Sequence, residues 1–441
     1  MNIIIIVQNP FYNLFETFYE EASKDPFFKI TFVLLPLGHP EIYTLEELKD
    51  YFDKKKVPYV VGLSEKLKKP VDILKLEPDL VIYQTPYDGY RPYALTHAGR
   101  IGQHVPISHI SYGTTFIEYD QVHSNLIKDN IFQKICWKIF IENSLVEQQM
   151  NKIVTNKYKT IGYLKCDKYL NSSNCKDEKT KPKNDLFHIV WKPRWTATLG
   201  KSNLMRYIFF FQTFLQKHPN VKLTLYGHPL LKNAVTMKTN IATEHAWNEI
   251  EIFYNQQPNA EIETSGDFLE KIWSADLFIG DFSSTLAEFY LTGKPIIYTP
   301  VDVTLSELGR EMEKGMYVAN NAEDLTTLIA QLIEGDDPLD VERQKQKEYI
   351  STPLPGATIA QGFCNYLKKQ FLNKDSDYWQ HRKGIENGEV KLTLKKDNYH
   401  MQHSQTKLYK HIVYKRLQLI ASKAIPENLR QKIIRFLNLE Q

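Results

Sequence analysis

The sequence predicts an α/β protein made of two successive halves, each a doubly wound parallel sheet in which short buried strands alternate with helices. Three observations carry that expectation. Short apolar runs recur without polar alternation, as strands buried on both faces do. Segments of helical spacing separate them, the pattern of β-α-β units. The alternation breaks at the polar, charged stretch Asn171 to Asp185 and then begins again, which marks a linker between domains.

In the first half, Ile3 to Val7 reads as a strand and Phe11 to Ala22 as a helix with aromatics on one face. Lys29 to Leu35 reads as a strand, Leu45 to Phe52 as a helix, and Leu80 to Tyr83 and Ile107 to Ile110 as strands. After the linker, Phe187 to Trp191 is a strand, Leu204 to Gln216 a helix and Lys222 to Tyr226 a strand. Ala275 to Ile279 is a strand whose exit turn, Gly280-Asp281-Phe282-Ser283-Ser284, opens a helix from Thr285 to Leu291. Gly293 stops that helix before a strand from Pro295 to Tyr298, and a last helix runs from Ala322 to Ile333. The aromatic run Tyr207 to Phe214 is expected to be a buried core helix rather than a membrane element. The expected division is 1–175, 185–370 and a helical extension, 371–441.

At 441 residues the chain exceeds one ordinary core, and 42% hydrophobic content fills two. A formal net charge of +3 leaves no global footprint for nucleic acid. Cys136, Cys166, Cys175 and Cys364 form no CxxC pair, so free thiols in a reducing cytosol are expected. The apolar opening is too short for a signal or a membrane span. From Lys391 onward, eleven Lys/Arg face three Asp/Glu, interleaved with Tyr, Ile and Leu. Such a basic amphipathic tail suits either an anionic membrane surface or a helix packed on the core with its charges in water.

Chemistry-bearing residues gather at three strand exits of the second half, where a doubly wound fold places its ligand. Lys192 and Arg194 follow the first strand and can neutralise phosphate. His228, in Tyr226-Gly227-His228-Pro229, can donate to a phosphate oxygen. Asp281, Ser283, Ser284 and Thr285 form the third exit, with Glu288 one turn later, where its carboxylate can accept from a ribose diol. Hydroxyls and free N–H groups at a helix start suit an anion, but serines there also serve as plain caps.

These pieces resemble the CDP-glycerol glycerophosphotransferase (teichoic acid polymerase) family of GT-B enzymes over roughly Phe187 to Leu367. The matching segments are Val190-Trp191-Lys192-Pro193-Arg194-Trp195, Gly227-His228-Pro229, Gly280-Asp281-Phe282-Ser283-Ser284 and Lys294-Pro295-Ile296-Ile297-Tyr298. The His-Pro and Ser-Ser pair also marks bacterial sialyl- and Kdo-transferases that use CMP-sugars. The resemblance implies two Rossmann-like domains with a cleft between them and a cytidine-nucleotide donor. Its phosphates would be held by His228, Ser283 and Ser284, with Lys192 or Arg194 assisting. It further implies transfer of glycerol phosphate, or a related polyol phosphate, to a glycan or lipid-linked acceptor at the inner face of a cell membrane.

The first half departs from that pattern. The family's His-Gly-Thr-Pro motif, whose histidine serves as base, is replaced by Tyr112-Gly113-Thr114-Thr115. Tyrosine, with an ordinary pKa near 10, is a poor base at neutral pH. His109 could take the role, Asp120 or Glu118 could reach in, or Tyr112 could only orient the acceptor. Gly113, Thr114, Tyr87 and Arg91 are expected at the acceptor side, with domain packing as the equal alternative for Tyr87 and Arg91. No Asp-x-Asp stands at a strand end and no residue cluster has metal-ligand spacing, so the expected chemistry needs neither metal nor cofactor. Sugar transfer from a CMP-sugar or other nucleotide-sugar is the alternative reaction, and a nucleotide-binding module without activity is the other class.

Overall fold

The computed structural model of the chain describes residues 1–9, 14–36, 44–64, 69–86, 88, 91, 93–111, 113, 116, 131–153, 156–170, 186–194, 202–227, 231, 241–263, 269–281, 283–351 and 354–394. Its first half contains β1 (Asn2–Val7), β2 (Lys29–Leu34) and β3 (Tyr59–Val61). A small antiparallel pair follows, β4 (Leu63–Ser64) with β5 (Lys69–Pro70), and then β6 (Leu80–Tyr83), β7 (Ile107–Ile110), β8 (Lys138–Ile141) and β9 (Tyr158–Thr160). Seven of these make one parallel sheet in the order β3-β2-β1-β6-β7-β8-β9. The second half supplies β10 (Phe187–Lys192), β11 (Val221–Tyr226), β12 (Ala260–Glu263), β13 (Leu277–Gly280), β14 (Ile296–Tyr298) and β15 (Tyr317–Val318). These form a six-stranded parallel sheet in the order β12-β11-β10-β13-β14-β15. Both sheets are doubly wound, as the alternation predicts.

The period-two geometry of a strand sorts the side chains between cores. On β1, Ile3, Ile5 and Val7 join the core beneath the helices Glu16–Ala22, Leu45–Lys54 and Ile359–Leu372. Ile4 and Ile6 turn to the opposite face. On β10, Ile189 and Trp191 pack with the helix Leu204–Lys217, where the Trp191 and Phe211 ring centroids are 4.5 Å apart, and Val190 faces the other way. The core on the Ile4 and Val190 faces is shared: Val81 and Ile107 of the first half lie in the same cluster as Phe278, Leu286 and Ile296 of the second. Burial of the Tyr207–Leu215 stripe makes that helix a core element, although Phe209 is 62% exposed on its outer side.

Late in the sequence the chain returns to the first sheet. Phe363, on the helix Ile359–Leu372, packs on Phe18 and Phe140 with centroid distances of 4.9 and 4.8 Å. Tyr378, in the helix Asp377–Glu386, packs on Trp137 and donates its hydroxyl to the Asp79 carbonyl at 2.8 Å. The halves are also clasped directly. Ser306 N donates to the Phe116 carbonyl at 3.0 Å, and a Cβ on Gly309 would stand 2.2 Å from that same oxygen, so the helix Glu307–Glu313 needs glycine there.

Gly293 ends its helix in the left-handed region at φ 77°, as expected of a stop signal. The expected first helix is present from Glu16, and its expected start at Phe11 lies outside the described residues. The Asn171 to Asp185 linker and the chain from 395 onward, hence nearly all of the basic tail, also lie outside them.

Candidate functional site

Strand order reverses in the second sheet between β10 and β13, and their C-terminal ends lie side by side with Lys192 paired to Gly280. A Cβ on Gly280 would meet the Lys192 carbonyl at 2.8 Å and the Phe278 ring at 2.9 Å, so only glycine lets β13 end so close to β10. Crevices at such reversals are where open α/β sheets bind ligands.

Asp281 comes next and is wholly buried. Its Oδ2 accepts from Arg194 N at 3.2 Å and Asn203 N at 2.9 Å, and its Oδ1 from the Thr299 hydroxyl at 2.8 Å. Burial pushes its carboxyl pKa up, against the pull of those donors. Both oxygens are spent on protein donors. Asp281 thereby knots the exits of β10, β13 and β14.

The two serines behave differently from plain caps. Ser283 occupies the N-cap position of the helix Ser284–Tyr290 in extended conformation, yet its side chain makes no cap hydrogen bond. Its buried Oγ has no hydrogen-bond partner among the described residues. Ser284, half-buried, faces Gly113 of the first half across the cleft. Thr285 is buried beneath it.

Glu288, on the same helix, is 0% exposed. Its Oε1 takes an ion pair from Lys165 and a 3.4 Å hydrogen bond from the Tyr163 hydroxyl, both from the first half. Its Oε2 is buried with no hydrogen-bond partner among the described residues. Lys192 lies close by, buried, with its ammonium 4.3 Å from the Tyr226 ring centroid. Burial pushes its pKa down to about 7; the Glu288 charge opposes that shift and the Lys165 charge adds to it. Arg194 is half-buried, and burial lowers its pKa too, with Asp281 opposing. Charge from both halves thus converges on one carboxylate.

Sequence reading missed Tyr163 and Lys165. They follow β9, whose Tyr-Lys-Thr composition gives no strand signal, so no strand end was on hand to place them. Gly162, with φ 95°, was the available clue to a turn there.

On the first-half side, His109 stands on β7 beside Tyr83 of β6. Its Nδ1 is 2.9 Å from the Tyr83 carbonyl and its ring packs edge-on to Phe132. Burial pushes its pKa down to about 4, outweighing the carbonyl bond, and the Arg91 charge lowers it further. His109 is neutral at pH 7 and a weak base. The Arg91 side chain is fully buried, ion-paired to Asp88 at 2.5 Å, bonded to the Thr85 carbonyl and lying 4.2 Å from the Tyr83 ring centroid. Asp88 in turn caps the helix Ala98–Ile101 through Ala98 N at 2.8 Å and Gly99 N at 3.2 Å. Of the two roles open to Arg91, packing is the one these contacts describe. Tyr87, Tyr112, Thr114, Glu118, Asp120 and His228 lie outside the described residues.

Among the described residues, no group of three His, Cys, Asp or Glu could hold a metal ion, and no helix is long and apolar enough to cross a membrane. Cys136, Cys166 and Cys364 are free and buried.

The architecture is GT-B-like: two Rossmann-like domains facing each other across a cleft. Solved structures share it along nearly their whole length. S. aureus MnaA, in a co-structure with UDP, superposes with a TM-score of 0.55 at 14% identity, covering 85% of this chain and 98% of its own. The Neisseria meningitidis UDP-GlcNAc 2-epimerase bound to UDP-GlcNAc gives 0.56 at 12% identity, covering 85% and 100%. The Methanocaldococcus jannaschii UDP-GlcNAc 2-epimerase in complex with UDP-GlcNAc and UDP gives 0.53 at 14% identity, covering 84% and 100%. At these identities the likeness is one of fold. No protein-family profile and no curated protein matches the chain.

Proposed function

We propose that this protein is a GT-B transferase that binds a pyrimidine-nucleotide-linked donor between its halves and moves a polyol phosphate from a CDP-linked donor to a glycan or lipid-linked acceptor. One observation carries the reading. Lys165 and Lys192, one from each half, are buried and interact with the Glu288 carboxylate, beside the Ser283 hydroxyl and Glu288 Oε2, which have no hydrogen-bond partner among the described residues. Ammonium groups at the strand-order reversal suit an anion, and a buried carboxylate oxygen suits a hydroxyl. A nucleoside diphosphate supplies both, with its phosphates and its ribose diol. The CDP assignment itself rests on the sequence motifs.

In the transfer, an acceptor oxygen bonds to the polyol-bearing phosphorus as that phosphorus loses its bridging oxygen to CMP, which keeps the electron pair. The acceptor proton passes to a base on the first-half wall. Lys192, Arg194 and the Ser283 hydroxyl stabilise the charge on the departing nucleotide. The tail from Lys391 would hold the enzyme near lipid-linked acceptors at the inner membrane face. If deleting it leaves binding to anionic vesicles unchanged, that part fails.

A second reading, sugar transfer from a nucleotide-sugar, is favoured by the fold neighbours, whose bound ligands are UDP and UDP-GlcNAc. Thermal shift against CDP-glycerol, CMP-sialic acid, UDP-GlcNAc and GDP-mannose decides, because only a ligand of the folded state raises Tm. The largest rise with CDP-glycerol supports the first reading, and with CMP-sialic acid or UDP-GlcNAc the second. No rise with any of them overturns both. Release of CMP from CDP-glycerol then separates an enzyme from a binding module without activity.

A further inference from the structure

We propose that Lys165 is a positioning residue for the nucleotide site, holding Glu288 from the opposite half so that the site is complete only when the two halves meet. This rests on the nucleotide reading above and adds a residue and a mechanism to it.

The two oxygens of Glu288 are treated unequally. Oε1 carries both the Lys165 ion pair and the Tyr163 hydroxyl, while Oε2 has no hydrogen-bond partner among the described residues. A carboxylate pinned at one oxygen by a charge-assisted bond presents the other in a fixed direction. Charge balance also depends on Lys165. The Lys165 ammonium is the counter-ion that makes burial of this carboxylate tolerable. Lys192 cannot replace Lys165 fully, since at a pKa of about 7 it is charged only half the time at neutral pH.

Lys165 is itself firmly placed by the first half. The Thr17 hydroxyl donates to the Leu164 carbonyl at 3.1 Å. Two residues on, Asp167 caps the returning helix Ile359–Leu372, accepting from Ile359 N and Ala360 N at 2.9 Å each. The ammonium is therefore carried by the same packing that joins the C-terminal helices to the first sheet. Separation of the halves removes it from Glu288, so ligand affinity and domain closure are coupled through this pair.

The experiment is calorimetric titration of the full-length protein with CDP-glycerol and UDP-GlcNAc, using wild type, Lys165→Met, Lys165→Arg, Glu288→Gln and the Lys165→Met/Glu288→Gln double variant. Lys165→Met is expected to weaken binding about tenfold or more, and Lys165→Arg to recover most of it. The double variant should bind no worse than Glu288→Gln alone, because Lys165 acts through that carboxylate. Binding by Lys165→Met within about twofold of wild type, or losses that simply add in the double variant, overturns the proposal. Should Lys165→Met fail to fold, Tyr163→Phe removes the other donor on Oε1, and unchanged binding there is equally fatal. Wild type that binds neither nucleotide removes the underlying reading as well, whereas wild-type binding indifferent to Lys165 removes this proposal alone.

Discussion

Gly113 and Ser284 face each other across the cleft: a Cβ on Gly113 would stand 3.5 Å from Ser284 Cβ and 3.9 Å from its Oγ. One residue from each half therefore sets the width of the cleft beside the Ser283 hydroxyl. Ordinary van der Waals distances leave room for one methyl group and little more.

Gly113→Ala should accordingly leave Tm and nucleotide affinity near wild type. Gly113→Leu should keep the fold but weaken nucleotide binding about tenfold by filling the space against Ser284. Thermal melts and titrations on the two variants check this. Equal affinity in both would place Gly113 away from the ligand.

Ser283 and Asp281 are expected to separate binding from stability. Ser283→Ala removes a hydroxyl that caps nothing, so Tm should hold while donor affinity drops. A helix-capping serine would instead cost about 1 kcal/mol of stability. Asp281→Ala leaves three donors at the turn without their acceptor and should cost about 3 kcal/mol, seen in urea unfolding. Loss of stability in Ser283→Ala with unchanged affinity would favour the plain cap.

What the sequence made legible follows the physics of burial. Central strands such as Leu80–Tyr83 and Ile107–Ile110 are buried at every position and lie where their apolar runs say. The edge strands β3, β9, β12 and β15 escaped notice because an edge needs only one neighbour and tolerates polar residues, as in Ala-Glu-Ile-Glu of β12, and the interior β8 escaped too, its short run opening on Lys138. The site divides the same way. Strand-exit logic proposes Lys192 and Ser283 at strand ends and Glu288 one turn into the following helix, and the structure puts them at those positions. It could not foresee the contacts of Asp281, or choose between the two roles left open for Arg91, because sequence shows charge but not which backbone groups will claim it. Lys165 was invisible, since its partner lies 123 positions away in the other half.

Stability should fall in acid through His109. Its folded pKa of about 4 lies below the ordinary 6.5, so between those values the unfolded chain binds the extra proton. The contribution is fully present above pH 6.5 and is lost as pH drops toward 4, by about 3 kcal/mol at most. His381, pushed down to about 3 by burial and then by Lys157 and Lys138, acts in the same direction. His109→Gln should therefore reduce, not abolish, the slope of unfolding free energy against pH over that window. An unchanged slope would falsify the buried neutral state of His109.

Turnover is expected to survive EDTA, with the leaving nucleotide held by Lys192, Arg194, the serine hydroxyls and His228. His228→Ala should abolish transfer while leaving the melt unchanged. Strong inhibition by EDTA that Mg²⁺ reverses would sink metal independence, and a fully active His228→Ala would remove that histidine from the site.

Lys192 should make nucleotide affinity and stability respond to alkali in opposite senses. Its folded pKa of about 7 lies below the ordinary 10.5, so between pH 7 and 10.5 the unfolded chain holds the extra proton and this group's contribution to stability rises with pH. A bound diphosphate needs the ammonium and raises its pKa, so binding near pH 7 takes up about half a proton. Affinity should be level below pH 7 and fall up to about tenfold per pH unit above it, until the pKa of the complex is reached. Titrations in buffers of different ionisation enthalpy measure the proton, and a pH series measures the slope. Lys192→Arg should bind with a flat profile because guanidinium stays charged, and Lys192→Met should bind weakly with a flat one. Wild-type affinity that stays level to pH 9 would show that the ammonium is either already paired or remote from the phosphates.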